Sequence, residues 1–232
     1  MNPAAAGHRN VLFALCAISL LGTAIGCTGS DSEIPAEVPR ASVIYLNEIA
    51  ELPSLEVFAN AAGPTPVMLG TLTEELELAT GTTQFVLTAP GSKEPIVDST
   101  LELEDQLYLI AFTGKVSQGN LALWAVDQKA PELVSGQTAA EVVNLYNGEL
   151  TFDVYFGDEP LAMGITSRSV SAFTVTTPAS GTIQVFNAGD APASALPVAS
   201  MESSLEDGRA VMILMKNAAT GNGIVLDTVV VR

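Results

Sequence analysis

Histidine is almost missing from this chain: His8 is the only one among 232 residues, and it lies within the first ten. The rest of the chain offers no imidazole base, which excludes Ser-His-Asp and Cys-His nucleophilic sites and zinc or iron sites with histidine ligands. The sequence also has no glycine-rich phosphate loop followed by lysine and no G-x-S-x-G elbow. It therefore predicts a non-enzymatic protein with no catalytic residues, no metal site and no cofactor.

Positive charge is scarce as well. The chain has 9 lysine and arginine residues against 26 aspartate and glutamate residues, and its net charge is −17. A surface that neutralises nucleic-acid phosphates needs the opposite balance, so the sequence predicts no nucleic-acid partner. The acidity is typical of a surface that keeps an apolar-rich protein soluble.

A long apolar run is absent too. The longest one, Val11 to Ile25, spans 15 residues, whereas a helix that crosses a bilayer needs about 20. The run follows a short N-terminal stretch that contains Arg9 and no acidic residue. Because this is the layout of a signal peptide, we predict that residues 1–26 are one.

Cysteine occurs twice, as Cys16 inside this run and as Cys27 directly after it. The segment Ala24-Ile25-Gly26-Cys27 resembles the lipobox of bacterial lipoproteins. The resemblance implies cleavage before Cys27 and a diacylglyceryl thioether on its sulfur, so Cys27 is the predicted lipidation site. The alternative, an unmodified cysteine of a secreted protein, leaves Cys27 without a disulfide partner once Cys16 is removed.

Residues 27–40 are predicted to be the lipidated cysteine and a polar tether, because they include Pro35 and Pro39 and show no hydrophobic period. Thr28 stands where the sorting rule of the lipoprotein family places Asp in proteins kept at the inner membrane. The resemblance therefore implies the outer membrane in an organism that has one. The predicted location is the cell envelope, and the predicted partner is the membrane, through the lipid on Cys27.

Two segments of the chain resemble each other. "ATGTTQFV" at 79–86 and "ASGTIQVF" at 179–186 are 100 residues apart, and further matching blocks keep the same order on either side. An ordered repeat of this length predicts two domains, 41–126 and 141–232. A segment with proline, serine and glycine at 127–140 is the predicted linker.

Apolar residues alternate with polar ones within each repeat, as in Leu55, Val57 and Ala59 around Glu56. A period of two is typical of half-buried strands. Seven runs are predicted in the first repeat: 42–46, 54–59, 66–71, 83–88, 96–102, 107–113 and 121–126. Their spacing, without a long helical stretch, predicts an all-β chain of two tandem immunoglobulin-like antiparallel β-sandwich domains after the lipoprotein signal peptide.

The repeat blocks also carry a resemblance to one family. "FDVYF" at 152–156, "SAFTVTTPASGTIQVF" at 171–186 and "LEDQLYLIAFTG" at 103–114 are similar to the bacterial domain of unknown function 4397, a family of secreted and often lipoprotein-borne sandwich domains. The resemblance covers both repeats. Where that family has a His-Ala-Ser-Pro segment after the first strand, this chain has "LNEIAELPS" and "LYNGEL". The family has no established activity to transfer.

Aromatic side chains that can stack on a sugar ring are few. The polar aromatic residues are Trp124, Tyr45, Tyr108, Tyr146 and Tyr155. A stacking platform needs exposed rings in a row, whereas Trp124 lies in the apolar segment "NLALWAV", which favours packing in a core. Tyr155 matches Phe58 of the first repeat, which indicates a shared structural role.

Acidic residues are the other candidates for a site. Glu74, Glu75 and Glu77 form the densest cluster, but the D-x-[DN]-x-[DN]-G pattern of a calcium loop is absent, which favours a solvated loop. The adjacent acids at 104–105 and 206–207 would point to opposite faces of a strand. A turn before the next strand therefore suits Glu104 with Asp105 and Glu206 with Asp207 better than a pair of glycosidase carboxylates.

The sequence as a whole predicts a cell-envelope lipoprotein that is a non-catalytic binding or structural module. Sandwich-end loops or an exposed strand edge would form its contact surface. The partner is an envelope protein, a polysaccharide or another copy of the chain, and the sequence leaves this choice open. The alternative is a carboxylate-based glycan-binding or hydrolytic envelope protein.

Overall fold

A computed structural model of the chain describes residues 38–218 and 223–231. Each of the seven runs predicted in the first repeat overlaps a strand. The strands of this half are β1 (Arg40–Asn47), β2 (Ser54–Ala59), β3 (Thr65–Met68), β4 (Leu76–Ala79), β5 (Gly81–Thr88), β6 (Pro95–Leu103), β7 (Leu107–Thr113) and β8 (Ala122–Gln128). Strand β4 was not predicted, because it lies in the acidic segment that was interpreted as a loop.

The second half of the described chain is also built of strands. They are β9 (Thr138–Asn144), β10 (Phe152–Phe156), β11 (Glu159–Ile165), β12 (Ser169–Val170), β13 (Thr174–Thr176), β14 (Ala179–Asn187), β15 (Ala199–Leu205), β16 (Ala210–Asn217) and β17 (Ile224–Val231). One short 3-10 helix, Val116–Gln118, lies in the loop between β7 and β8. The prediction that the chain is all-β is confirmed. Over residues 38–218 and 223–231, no helix has the length and apolar character that a bilayer crossing requires.

The strands form four sheets, two from each half. Outer sheet N has the order β3-β2-β5-β6, and inner sheet N has the order β4-β1-β7-β8. Outer sheet C has the order β11-β10-β14-β15, and inner sheet C has the order β12-β9-β16-β17, with β13 also paired to β9. Neighbouring strands are antiparallel except for β1 with β7 and β9 with β16, which are parallel.

Three hydrophobic cores hold these sheets face to face. The first core lies between outer and inner sheet N, and the third lies between inner and outer sheet C. The middle core joins the two inner sheets, with Leu46 and Leu109 on one side and Met212 and Leu214 on the other. The sheets are therefore layered as outer N, inner N, inner C and outer C. Because side chains alternate along a strand, the central strands of both inner sheets send apolar residues into two cores each.

The same strand order occurs in both halves, and some side-chain hydrogen bonds recur with it. Thr82 Oγ1 donates to Glu102 Oε2 across β5 and β6 at 2.7 Å, and Thr182 Oγ1 donates to Glu202 Oε1 across β14 and β15 at 2.7 Å. At the ends of β1 and β9, Asn47 and Asn144 each accept a backbone N–H from two residues further on. The sequence repeat aligns Thr82 with Thr182, and the strand pairings place the other residues at equivalent positions of the sheets.

One strand pairing differs between the halves. Val57 of β2 lies opposite Leu87, whereas Val154 of β10 lies opposite Val185. The sequence repeat aligns Val57 with Val154 and Phe85 with Val185, so β10 is displaced by two residues along its partner. A shift of two residues keeps every side chain on its original face. The displacement therefore leaves the core pattern intact, while Phe58 and Tyr155 lie at different levels of their sheets.

The sandwich architecture agrees with the prediction, but its strand order is not that of immunoglobulin constant domains. In those domains the first, second, fourth and fifth strands share a sheet, and the third, sixth and seventh form the other. Here β1 lies in the opposite sheet from β2 and pairs in parallel with β7, from Ser42 opposite Leu107 to Asn47 opposite Phe112. The first strand is thus central in its sheet.

The connection between the halves is shorter than the predicted linker at 127–140. Strand β8 ends at Gln128 and β9 begins at Thr138, so both ends of that segment are strand. The chain from Val38 onward clusters as one compact unit, because the middle core joins its halves. The division into domains at 41–126 and 141–232 stays a prediction, and the signal peptide at 1–26 lies outside the described residues.

We expect both halves to unfold in one transition, because the middle core is shared between them. Leu109→Ala removes a buried side chain from this core and should destabilise the protein by about 2–5 kcal/mol. Urea unfolding should be followed by far-UV circular dichroism and by the fluorescence of Trp124, the single tryptophan, which packs against the middle core. Met163→Ala, at an exposed position, is the control and should change stability by less than about 0.5 kcal/mol. Separate transitions from the two probes would contradict this expectation.

Candidate functional site

The aromatic residues considered as a stacking platform lie in or beside the cores. Tyr45, Tyr108 and Tyr155 are buried, and Tyr146 is half-buried. Trp124 is also half-buried and packs against the middle core, as its place in an apolar strand predicts. Burial raises the pKa of Tyr45 to about 12. These rings contribute packing rather than a row of exposed faces.

The acidic cluster at 74–77 is exposed and is only partly a loop. Glu74 and Glu75 precede β4, whereas Glu77 lies on that strand, where its carboxylate is 3.7 Å from the Arg40 guanidinium. Among the described residues, no group of three or more histidine, cysteine, aspartate or glutamate side chains is arranged to hold a metal ion.

The two adjacent acid pairs lie in turns before β7 and β16, as interpreted from the sequence. Glu206 forms an ion pair with Arg209 at 2.9 Å, and Asp207 Oδ1 accepts the backbone N–H of Gly136 at 2.7 Å. The second pair therefore ties the inter-half connection to the turn before β16. Cys27, the predicted lipidation site, lies outside the described residues.

A cleft of about 370 Å³ opens where three loops meet, and we call it the loop cleft. Its first side comes from the β7–β8 loop, with Gly114, Lys115, Gln118 and Asn120. Its second side comes from the β9–β10 loop, with Asn147, Gly148 and Glu149, and the β11–β12 turn adds Ser167 and Arg168. The lining residues thus come from both halves of the chain. The volume lies at the lower end of the range for small-molecule sites.

The β7–β8 loop is held by its own hydrogen bonds and by one contact to another loop. The backbone N–H of Lys115 donates to Asn120 Oδ1 at 2.7 Å. Ser117 donates its backbone N–H to Glu51 Oε2 at 2.8 Å and its hydroxyl to Glu51 Oε1. These hydrogen bonds hold the pKa of Glu51 below its usual range. Gly114 has a φ of 105°, and a Cβ there would collide with the backbone of Asn120, so the loop needs glycine at this position.

The turn that carries Arg168 has an unusual backbone. Arg168 has a φ of 55°, in the left-handed region that residues other than glycine rarely adopt. Its backbone N–H donates to the carbonyl of Asn144 at 2.8 Å, and the hydroxyl of Ser167 donates to the carbonyl of Tyr146 at 2.7 Å. These bonds fix the turn to the end of β9. Strained residues that are held in place by their surroundings concentrate at functional sites.

The charges of the loop cleft differ from those of the chain as a whole. Lys115 and Arg168 line it together with one acid, Glu149. Within the described part of the chain, neither cation forms an ion pair. Both side chains are exposed. The cleft therefore presents two positive charges outside any described ion pair on a protein whose net charge is −17, and the charge of Lys115 also helps to lower the pKa of Glu51.

A set of hydrogen-bonded polar groups, of which Glu48 and Lys216 are buried, links the loop cleft to the contact between the halves. The backbone N–H of Asn147 donates to Asn217 Oδ1 at 3.1 Å, and Asn217 donates its backbone N–H and its amide to Glu48 Oε2 at 3.1 and 2.9 Å. Lys216 Nζ donates to the carbonyl of Gly70 at 2.8 Å and to Asp227 Oδ2 at 2.9 Å. We call Glu48, Lys216 and Asn217 the polar seam. Burial raises the pKa of Glu48, and the bonds from Asn217 and the charge of Lys216 oppose that rise.

Glu141 is a second buried acid at this contact. It lies on β9 between Ala139 and Val143, which both belong to the middle core, so its side chain faces the same way. Its exposed fraction is 3%, and its Oε1 atom has no hydrogen-bond partner among the described residues. Burial first, and the charge of Asp127 second, raise its pKa to about 8. This carboxyl is therefore largely protonated at neutral pH.

Sequence reasoning did not find the loop cleft. Lys115 and Arg168 are 53 positions apart in the sequence, and no motif connects them. The one available signal was the polar, glycine-containing segment "LYNGEL", which supplies Asn147, Gly148 and Glu149. No protein-family model matches the chain, and a search of the curated proteins finds no match.

Glu141→Gln should change how stability depends on pH. A carboxyl with a pKa raised from 4.5 to about 8 stabilises the fold below the lower value, and this contribution is lost as the pH rises through the upper value. The glutamine variant lacks this loss, so relative to the unaltered protein it should gain roughly 4 kcal/mol between pH 5 and pH 9. Urea unfolding at a series of pH values measures this gain.

The exposed substitution Glu132→Gln is the control for the loss of one negative charge. It should leave the pH profile of stability unchanged. A profile for Glu141→Gln that runs parallel to that of the unaltered protein would show that Glu141 ionises normally in the fold.

Proposed function

We propose that the protein is a cell-envelope lipoprotein that is held by a lipid on Cys27 and acts as a non-catalytic binding module. The observation that carries the binding role is the loop cleft, in which loops of both halves bring together two cations and several amide groups. Clefts with a few convergent polar groups are the usual form of ligand sites. The same proposal includes, as its second option, a structural role in the envelope.

The layered fold supports a binding role because it makes a rigid base for these loops. All of the residues of β7 and β9 are buried, and both strands end at loops that line the cleft. Binding residues commonly lie on loops that a rigid scaffold positions. The middle core holds the two sets of loops at a fixed separation.

The lining of the cleft also bears on the choice between binding and hydrolysis. Glycoside hydrolysis uses two carboxyl groups on either side of the scissile bond. Glu149 is the single carboxylate among the residues that line the cleft. The other polar groups that line the cleft are amides, a hydroxyl and two cations, which suit recognition by hydrogen bonds and charge.

The lipid anchor rests on the sequence alone. The proposal gives the chain a signal peptide at 1–26, a lipid on Cys27 and a tether at 27–40. The described fold, whose first strand begins at Arg40, would follow this short linker along the chain. The net charge of −17 disfavours contact of this fold with an anionic lipid surface. The resemblance to the domain of unknown function 4397 supports the same placement, with the outer membrane favoured in an organism that has one.

Cys27→Ala should abolish the lipid anchor. In bacterial cells fed a labelled fatty acid, we expect the unaltered protein to carry the label and to fractionate with membranes, and the variant to do neither, because the acyl chains supply the membrane affinity. Cys16→Ala is the matched control, since it changes the other cysteine of the chain, which lies inside the predicted signal peptide. It should retain both label and membrane fractionation. A labelled, membrane-bound Cys27→Ala protein would disprove the anchor.

A further inference from the structure

We propose that the loop cleft binds a carboxylate-bearing sugar, such as a hexuronate unit of an acidic polysaccharide, with Lys115 and Arg168 as the groups that recognise the carboxylate. This assignment rests on the proposed binding role and deepens it by naming the class of ligand. It does not depend on the lipid anchor.

The position of the two cations is the first support. The described residues include seven lysine and arginine side chains, and three of these, Arg40, Arg209 and Lys216, form ion pairs with acids. Of the others, Lys115 and Arg168 line the same cleft. Hydrogen bonds from charged donors to a carboxylate are about twice as strong as neutral ones. Two unpaired cations around one cavity therefore favour an anionic ligand there.

The neutral lining is the second support, because it suits the remaining atoms of a sugar. Gln118, Asn120 and Asn147 present amide groups, a kind of group that has both donors and an acceptor. Asn120 Oδ1 already accepts the backbone N–H of Lys115, and Asn120 Nδ2 donates to Gln118 Oε1 at 3.2 Å. The remaining amide donors and the Asn147 amide are therefore the groups open to a ligand. Ser167 and Glu149 add a hydroxyl and a carboxylate that can accept from sugar hydroxyls. A simple inorganic anion would leave these groups unused, whereas a ring with several hydroxyl groups would engage them.

The backbone of Arg168 is the third support. A left-handed conformation at a residue other than glycine costs roughly 1–3 kcal/mol, and here it is maintained by bonds from the turn to Asn144 and Tyr146. This backbone conformation belongs to Arg168, which supplies one of the two cations that line the cleft. Two further described residues other than glycine have a positive φ. They are Asn60 and Ala61, which lie together in the β2–β3 loop.

The overall acidity sets the expected size of the ligand. A long polyanion would be repelled by a body with a net charge of −17, whereas charges beyond about 8 Å are screened at physiological salt. A short segment or chain end that enters the cleft therefore interacts mainly with Lys115 and Arg168. Short oligosaccharides are the appropriate probes.

The test is calorimetric titration of the purified full-length chain with a galacturonic acid trimer and, separately, with a neutral galactose trimer. The acidic trimer should bind and the neutral one should bind at least about ten-fold more weakly. The double variant Lys115→Gln, Arg168→Asn should lose at least about ten-fold in affinity for the acidic trimer. Asparagine is chosen at position 168 because it adopts the left-handed region more readily than most residues.

The control double variant Lys93→Gln, Lys129→Gln removes the same number of charges from exposed positions outside the cleft. Its affinity for the acidic trimer should change by less than about two-fold, because the lost charges are screened. Glu149→Gln keeps an acceptor oxygen for sugar hydroxyls and removes a like charge from the lining, so it should tighten binding of the acidic trimer. Thermal unfolding of each variant shows that the fold is kept.

Three results would overturn the assignment: no binding of the acidic trimer at millimolar concentrations, equal affinity for both trimers, or equal weakening by the two double variants. Binding of the neutral trimer alone would reject the acidic class and keep the binding role. The anchor is decided separately by labelling at Cys27, so failure of one proposal is distinguishable from failure of the other.

Discussion

The burial of four strands on both faces is the constraint on which the rest of this structure depends. Strands β1 and β7 lie between the first and middle cores, and β9 and β16 lie between the middle and third cores. A strand in this position has no solvent face, so it needs apolar residues at consecutive positions. "LYLIAFT" of β7 and "AVMILM" at the start of β16 satisfy that need. A polar side chain in these strands must instead form a hydrogen bond or an ion pair, or be neutral.

The buried polar residues make the facing surfaces of the two inner sheets different from each other. Ser42 pairs with Leu107 and Ala139 pairs with Ala210 at equivalent places in the inner sheets. From these two pairs onward along the strands, Glu141 is equivalent in position to Ile44, Lys216 to Thr113 and Glu48 to Leu145. Two identical surfaces could meet in a symmetric contact, as in a two-fold dimer. The polar substitutions at non-equivalent places remove that symmetry, and buried polar groups can fix one register at a cost in stability.

The sequence was a good guide to the strands and a poor guide to how the sheets stack. The predicted runs located β1 to β3 and β5 to β8, because a half-buried or fully buried strand leaves its pattern in neighbouring residues. The middle core left no such local signal: Leu109 contacts a cluster that includes Met212, more than one hundred positions away. The loop cleft is harder still, since exposed loop residues such as Lys115 carry no period. The burial of Glu141 likewise follows from stacking alone, since its charge predicts a solvent-facing position.

The same stacking connects the interior of the protein to its candidate ligand site. Asn147 belongs to the loop cleft and bonds to Asn217, which in turn bonds to Glu48 of the other half. The cleft therefore exists only while the polar seam and the middle core hold the halves together. A single sandwich would possess one set of these loops and none of the opposing side chains. The contact between the halves thus builds a cleft that neither half has by itself.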